Sequence, residues 1–379
     1  MVKNEQPIDV PTPHLLDDLD GQLAKACERL GLPKFRAKQI RKQLLENRAG
    51  DWEGMTDLPK PLRAELAKEF DLWTAEVAKH TSADDGTEKL LLQLAGGGRI
   101  ECVLLRENVG DRAQKQPGEG LRRTFCISTQ VGCAMGCVFC ASGLDGVDRN
   151  LTTGEIVEQV LRLQHRLGDD ERLSHLVVMG MGEPLANLDN LLPALAEVSR
   201  PDGLGVSPRR ITISTVGLPP AIRRLARSEE GARYRLAISL HAPNDELRDQ
   251  IVPVNKKIGV EEIMAAADDY YDVSGRRLTF EYVLLADLND QPEHAHQLVR
   301  LLRERNALLN VIPYNPVEGL PYQTPSMEAQ KRFRAVLENG GVEIRFRHRK
   351  GDKINAACGQ LRRSTPPDVV AIDSGANKD

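Results

Sequence analysis

No stretch of this 379-residue chain approaches the ~18–20 consecutive apolar residues of a membrane-spanning helix. The first residues, Met1-Val-Lys-Asn-Glu-Gln-Pro7, lack the apolar core of a secretory signal. Charge excess is missing too. The formal net charge is −4, so affinity for nucleic acid has to come from local clusters of Lys and Arg. Nor is there a paired cysteine framework. The seven cysteines are odd in number and bunched, which suits a reducing cytoplasm and a metal–thiolate loop better than a disulfide scaffold. What is present is an ordinary composition, 41% hydrophobic and 28% charged, in a chain long enough for two or three domains. The expectation is a cytoplasmic monomer without a membrane partner.

The densest chemistry lies in Gln130-Val-Gly-Cys133-Ala-Met-Gly-Cys137-Val-Phe-Cys140-Ala-Ser-Gly143. The C-x3-C-x2-C spacing lets one short loop bring three thiolates to one centre. Soft thiolates select zinc, copper(I) or iron–sulfur clusters. A closed zinc site wants four ligands, and no histidine or fourth cysteine stands near. A four-iron cluster held by three cysteines leaves one iron open to a ligand. The spacing also departs from the ferredoxin pattern, whose cysteines fill every iron.

Around this loop the chain divides by period. Residues 15–48 read as helical, broken at Gly31-Leu-Pro33, and 60–70 as a further helix. The run 34–48 holds Lys34, Arg36, Lys38, Arg41, Lys42 and Arg48 against Glu46, with Phe35, Ile40, Leu44 and Leu45 as its apolar stripe. Such a run is a solvated face or an RNA contact. Residues 90–94 and 100–105 form a β-hairpin around Gly96-Gly-Gly98. There Glu101 shares a strand face with Val103 and Leu105. A carboxylate among apolar neighbours tends toward a raised pKa, as a general base requires, unless that face simply meets water.

Beyond a polar linker at 106–122, strands at 124–129, 175–179, 209–214, 235–240, 278–285 and 310–313 alternate with helices at 152–167, 188–198, 219–226, 260–273 and 293–305. Thr152-Thr-Gly-Glu155 is a capping box for the first helix. A last strand is expected at 343–347. The fold class is α/β, a partial (β/α)6 barrel with a parallel sheet. The expected division is a helical accessory domain at 1–84, hairpin and linker at 85–118, the barrel core at 119–361 and a disordered tail at 362–379.

In β/α barrels, sites form at the carboxyl ends of the strands. The unusual residues fall there in phase: the cysteine loop, Gly180-Met-Gly182-Glu183-Pro184, Ser214-Thr-Val-Gly217, Ser239-Leu240-His241-Ala-Pro243 and Asn315-Pro316. Together they offer amides, hydroxyls and a carboxylate to a polar cofactor. Cys126 lies in the first barrel strand. Cys358 lies among small residues in a basic segment with Arg345, Arg347, Arg349, Lys350, Lys353, Arg362 and Arg363 against Asp352. A basic strand leading to a thiol suggests an anionic substrate such as RNA.

These motifs resemble the RlmN/Cfr family of radical SAM RNA methyltransferases over roughly residues 14–361. The carriers are Phe35-Arg-Ala-Lys-Gln-Ile40, Met55-Thr-Asp-Leu58, Cys126-Ile-Ser-Thr-Gln-Val-Gly-Cys133, Arg149-Asn-Leu-Thr-Thr-Gly-Glu155, Met179-Gly-Met-Gly-Glu-Pro184, Ile238-Ser-Leu-His-Ala-Pro-Asn244, Ile251-Val-Pro-Val-Asn-Lys256 and Ala356-Ala-Cys-Gly-Gln360. The resemblance implies a [4Fe-4S] cluster on Cys133, Cys137 and Cys140, and two S-adenosylmethionine (SAM) molecules per turnover. Gly182, Glu183, Ser214, Ser239, Leu240, His241 and Asn315 match SAM-contacting positions.

By the same resemblance, one SAM methylates Cys358, and a radical drawn from the second activates that methyl group for addition to adenine. Cys126 then resolves the protein–RNA adduct through a transient disulfide. The displaced proton goes to Glu101, with Cys126 as the other assignment. The implied partners are 23S rRNA before full ribosome assembly, tRNA, and an electron donor such as flavodoxin. The cysteines do not separate C2 methylation from the Cfr-type C8 reaction; the N-terminal helices favour C2. A zinc-binding RNA protein without catalysis is the reading from another class. Tyr314 stands where the family commonly has tryptophan, and Lys353 and Asn355 where it has acids. These departures leave the chemistry intact and bear on RNA preference.

Overall fold

The computed structural model describes residues 14–107, 121–347, 351 and 354–362. Residues 1–13, the linker centre, the basic residues Arg349, Lys350, Lys353 and Arg363, and nearly all of the expected tail lie outside the described residues.

Three helices open the fold: α1 (Leu19–Arg29), α2 (Phe35–Leu45) and α3 (Lys60–Glu69). Asp18 starts α1 by accepting the Gly21 N–H at 3.0 Å. Leu19 and Leu23 of α1 and Ile40, Leu44 and Leu45 of α2 are buried in a core continuous with that of the barrel. Phe35, expected on the apolar stripe, is instead half exposed with the Arg36 guanidinium over its ring.

Next come β1 (Ala75–Ser82), β2 (Glu88–Leu94) and β3 (Arg99–Arg106), an antiparallel run. The expected hairpin is therefore three-stranded, and its first strand lies beyond the expected helices but inside the 1–84 division assigned to the helical accessory domain. Only Ala75 of β1 is buried, so no apolar alternation marks it in the sequence. Its backbone pairing with β2 makes it a strand.

The barrel follows: β4 (Arg123–Cys126), α4 (Thr153–Gln164), β7 (His175–Val178), α5 (Leu188–Ser199), β8 (Ile211–Thr215), α6 (Pro219–Arg227), β9 (Arg235–Ser239), α7 (Asp245–Ile251), α8 (Val260–Ser274), β10 (Leu278–Leu284), α9 (Pro292–Leu302), β11 (Ala307–Pro313), α10 (Met327–Asn339) and β12 (Ile344–Phe346). The sheet order is β1-β2-β3-β4-β7-β8-β9-β10-β11-β12, antiparallel as far as β4 and parallel from there on. Six strands match the expectation and β12 adds a short parallel edge. The Thr152–Glu155 capping box is present. Between β4 and α4, β5 (Gln130–Gly132) and β6 (Val147–Asn150) pair as a separate ribbon. This ribbon closes the base of the cysteine loop, where the Cys133 N–H reaches the Gly146 carbonyl at 2.8 Å.

Polar side chains seat the helical domain on the barrel. Arg41 of α2 is buried and donates to Glu197 of α5 at 2.7 Å and to Asp20 of α1 at 2.9 Å. Arg48 donates to the carbonyls of Leu167, Gly168 and Glu171. Two cations of the run 34–48 therefore serve docking, a role outside the two expected for that run, a solvated face or an RNA contact. Lys34, Lys38 and Lys42 remain exposed.

Candidate active site

A cavity of about 980 Å³, counting its open mouth, lies at the carboxyl ends of the parallel strands. Cys133, Cys137 and Cys140 line it, with Gly182, Glu183, Ser214, Ser239, His241, Asn315 and Cys358. Residues from five strand ends and the distant Cys358 segment are thus brought to one chamber. Leu240, Cys126 and Glu101 are not among its lining residues.

Backbone constraints explain the rim. Gly182 has φ +102°, and a Cβ there would stand 2.6 Å from the Gln130 side chain. The turn after β7 therefore packs directly on the residue that leads into the cysteine loop. Glu183 is buried, accepting the Leu185 N–H at 2.9 Å and the Val216 N–H at 2.8 Å. Its carboxylate fastens two rim loops together. His241 adopts φ +59°, and its Nδ1 accepts the Val283 N–H at 3.1 Å, so the ring hydrogen sits on Nε2. Burial, with Arg248 beside it, lowers its pKa to about 3, and it stays neutral.

Burial raises all three loop thiols, Cys133 to about 12. Coordination reverses that preference, since a metal binds the thiolate. Among the described residues no group of three or more His, Cys, Asp or Glu is gathered as closely as a single metal ion would need.

The Cys358 segment is laced across this chamber. The Gly359 carbonyl accepts from the Ala141 N–H at 2.8 Å, and the Leu361 carbonyl from the Ser142 hydroxyl at 2.8 Å. The Asn315 amide donates to the Cys358 carbonyl at 3.3 Å. On the other side the Arg362 N–H donates to Glu101 at 2.9 Å. Lys89 pairs with the second Glu101 oxygen at 2.8 Å and donates to the Asn355 carbonyl at 2.9 Å. Burial raises the Glu101 pKa, and Lys89 opposes that rise. Its strand face is covered by the Cys358 segment rather than by water.

Cys358 is exposed, yet local desolvation pushes its thiol up to about 11 while Arg347 draws it down. Cys126 is pushed up to about 12, first by burial and then by the nearness of Cys358. Charge on Cys358 is therefore felt at Cys126.

Two residues here were not picked from the sequence. Glu281 of β10 is buried in the cavity wall; one oxygen accepts from Asn310 at 2.9 Å and the other has no partner. A lone carboxylate within Leu278-Thr-Phe-Glu-Tyr-Val-Leu284 is the signal that could have found it, the same signal that marks Glu101. Arg248 is fully buried and donates to the carbonyls of Leu240, Val216 and Ser239, tying together the loops after β8 and β9. It sits on α7, a helix the periodicity does not reveal.

Residues 14–72 match the ribosomal RNA large subunit methyltransferase N-terminal domain, and residues 127–299 match the radical SAM superfamily. Over 351 residues the chain is 61% identical to a protein of Rhodopirellula baltica named probable dual-specificity RNA methyltransferase RlmN, covering 93% of this chain and 91% of that one. The chain belongs to the RlmN family. A Symbiobacterium thermophilum protein of the same name is 45% identical over 90% of this chain and 89% of its own. The crystal structure of a radical SAM methyltransferase from Sphaerobacter thermophilus superposes with a TM-score of 0.84 at 40% identity, covering 93% of this chain and all of that one. This RlmN-family chain is a SAM-dependent RNA methyltransferase, and membership implies a four-iron cluster and SAM. The site fits them. Three thiols share one loop, the Gly182 turn approaches closely, and the unpaired acceptors of Asn315 and Glu281 face a chamber with room for a nucleoside.

Proposed function

We propose that this enzyme methylates carbon 2 of an adenosine in the peptidyl-transferase loop of 23S rRNA, before full ribosome assembly, and of the adenosine 3′ of the anticodon in tRNAs. The observation that carries the reading is the Cys358 segment, held between the thiol loop and Glu101. A methyl group on Cys358 would stand between a place for radical generation and a base.

Cys133, Cys137 and Cys140 would hold the cluster. Gly182, Glu183, Ser214, Ser239, His241 and Asn315, which line the chamber, would hold SAM, with Leu240 buried behind them. Bound there, cluster and SAM supply a methyl group and, on one-electron reduction by a donor such as flavodoxin, a radical that takes hydrogen. Two SAM molecules are used per turnover. Cys358 carries the methyl group as a thioether and joins the adenine through it. Glu101, kept ionised by Lys89 and kept basic by burial, takes the C2 proton. Cys126 attacks Cys358 to free the product, leaving a transient disulfide. Neutral His241 and buried Arg248 keep the rim loops in register.

The test is anaerobic incubation of the reconstituted enzyme with SAM, reductant and unmodified 23S rRNA fragment or tRNA, followed by mass spectrometry of the nucleosides. 2-Methyladenosine from both RNAs is expected; 8-methyladenosine would move the enzyme to Cfr-type chemistry. Cys358→Ala is expected to abolish methylation and keep the cluster. Cys126→Ala is expected to accumulate RNA covalently bound to protein, and clean turnover by that variant would remove its resolving role.

A further inference from the structure

The end of the barrel opposite the active site carries a charge pattern that methyl transfer does not use. Parallel strands all begin at one end, and here β4 and the adjacent strands β8, β9 and β10 begin at or just after arginine, while β7, between β4 and β8, begins at His175. Arg122 leads into β4, Arg209 and Arg210 lead into β8, Arg235 opens β9, and Arg276 and Arg277 lead into β10. Thr212 pairs with Arg235, and Ala237 pairs with Thr279, which sets Arg277 alongside Arg235. The register therefore gathers these side chains on one rim.

Little neutralises them. Arg277 pairs with Glu343 at 2.6 Å, and Glu107 accepts the backbone N–H of Arg122 at 2.8 Å. Among the described residues no carboxylate lies within ion-pair distance of the guanidinium groups of Arg122, Arg209, Arg210, Arg235 or Arg276. Arg122, Arg209, Arg210 and Arg235 are exposed, and the buried Nε of Arg276 has no partner. The charges surrounding Arg235 are those of Arg122, Arg276 and Arg277. The chain as a whole has 55 acidic against 51 basic residues, so this is a local concentration of cations held against their repulsion.

The chemistry of the rim favours a phosphodiester backbone. Its cations are arginines, whose planar forks match phosphate oxygens in pairs. The exposed large aromatic among the described residues is Phe35, on α2; Tyr271, near the start of β10, is only partly exposed and its hydroxyl accepts from the Asn306 amide at 3.3 Å, so the rim offers charge far more than rings for a base to stack on. The seven residues of β10, at ~3.3 Å each, put the two barrel ends about 20 Å apart, so an RNA loop filling the chamber does not reach the rim. We propose that the arginine rim at the amino ends of β4, β8, β9 and β10 is a second RNA site, gripping the sugar–phosphate backbone of the substrate away from the target adenosine without reading its sequence. The proposal rests on the chain's membership among RNA methyltransferases.

The test compares binding of two RNAs to the SAM-loaded holoenzyme. One is a large-subunit rRNA fragment that keeps the helices flanking the target loop, and the other is the isolated loop. Arg209→Gln/Arg235→Gln/Arg276→Gln is expected to bind the long fragment ~tenfold or more weakly, with the log–log salt slope shallower by about two to three. Binding and methylation of the isolated loop are expected to stay at the wild-type level. The matching lysine variant is expected to keep most of the affinity, because charge is what it preserves. The exposed pair Arg209→Gln/Arg235→Gln repeats the comparison without touching half-buried Arg276. Unchanged affinity and slope on the long fragment would overturn the proposal, as would equal weakening on both RNAs. Failure of the wild-type enzyme to methylate either RNA would fall on the proposed reaction instead, while the binding comparison would still decide the rim.

Discussion

Burial lifts the thiols of Cys126 and Cys358 to about 12 and about 11, and Arg347 pulls both back down from its place after β12. A thiol reacts as its thiolate, so Arg347 controls how much of each is ready. Arg347→Gln is expected to raise the Cys358 pKa further and slow its alkylation about two- to fivefold at fixed pH, since an exposed cation acts through screened charge. Mass spectrometry of iodoacetamide-labelled peptides reads this, and an unchanged rate would mean that Arg347 does not govern the thiol. Glu281 poses the complementary case, a buried carboxylate with one oxygen unpaired. If that oxygen waits for a ligand, Glu281→Gln stabilises the ligand-free protein by about 1 kcal/mol and weakens SAM binding. Calorimetry and equilibrium dialysis measure the two effects, and a stability gain with no loss of SAM affinity would detach Glu281 from the cofactor. The sequence makes Glu101 and Glu281 look alike, each a lone carboxylate in an apolar strand. What separates them is their neighbours, Lys89 and Arg362 for one and Asn310 for the other, supplied by other parts of the chain.

Elements were legible where a single period ran long enough. α4, with its capping box, and the six expected barrel strands follow from local patterning. β1 and α7 do not. β1 is an exposed edge whose pairing partner makes it a strand, and α7 is two turns long, buried through Leu247, Arg248 and Ile251. α2 shows how an element's composition can mislead. Its basic residues look alike in sequence, yet Arg41 points into the interface with α1 and α5 while Lys38 and Lys42 meet solvent. Arg41→Met removes the buried partner of Glu197 and leaves that carboxylate only the looser contact with Arg200 at 3.8 Å. A loss of about 3 kcal/mol in urea unfolding is expected, against under about 0.5 kcal/mol for Lys38→Met. Equal costs for the two would mean that the α2–α5 contact does not hold the domain.

At the scale of the molecule, one carboxylate joins the accessory domain to the barrel. Glu158 of α4 accepts from His14, from the Thr74 hydroxyl and N–H, and from the Ala75 N–H. Burial raises its pKa, but these hydrogen bonds outweigh burial and hold it below its ordinary 4.5. A depressed carboxylate stabilises the fold above its unfolded pKa, and the contribution fades as pH falls through the folded value. Thermal unfolding is therefore expected to weaken below about pH 4.5, with a flatter acid limb in Glu158→Gln. Parallel acid limbs in the two proteins would assign the loss to other carboxylates.

The sequence by itself determined the three-cysteine loop, the βα alternation and the phase of the rim motifs. Each of these is a matter of spacing along one segment, which covalent geometry and side-chain period control. Only the tertiary structure decided that the Cys358 segment crosses the thiol loop and covers Glu101, which cations of the basic run are free, and that arginines from separate strands share one rim. Those outcomes depend on burial and on charges contributed by segments far apart in the chain, and no local pattern encodes either.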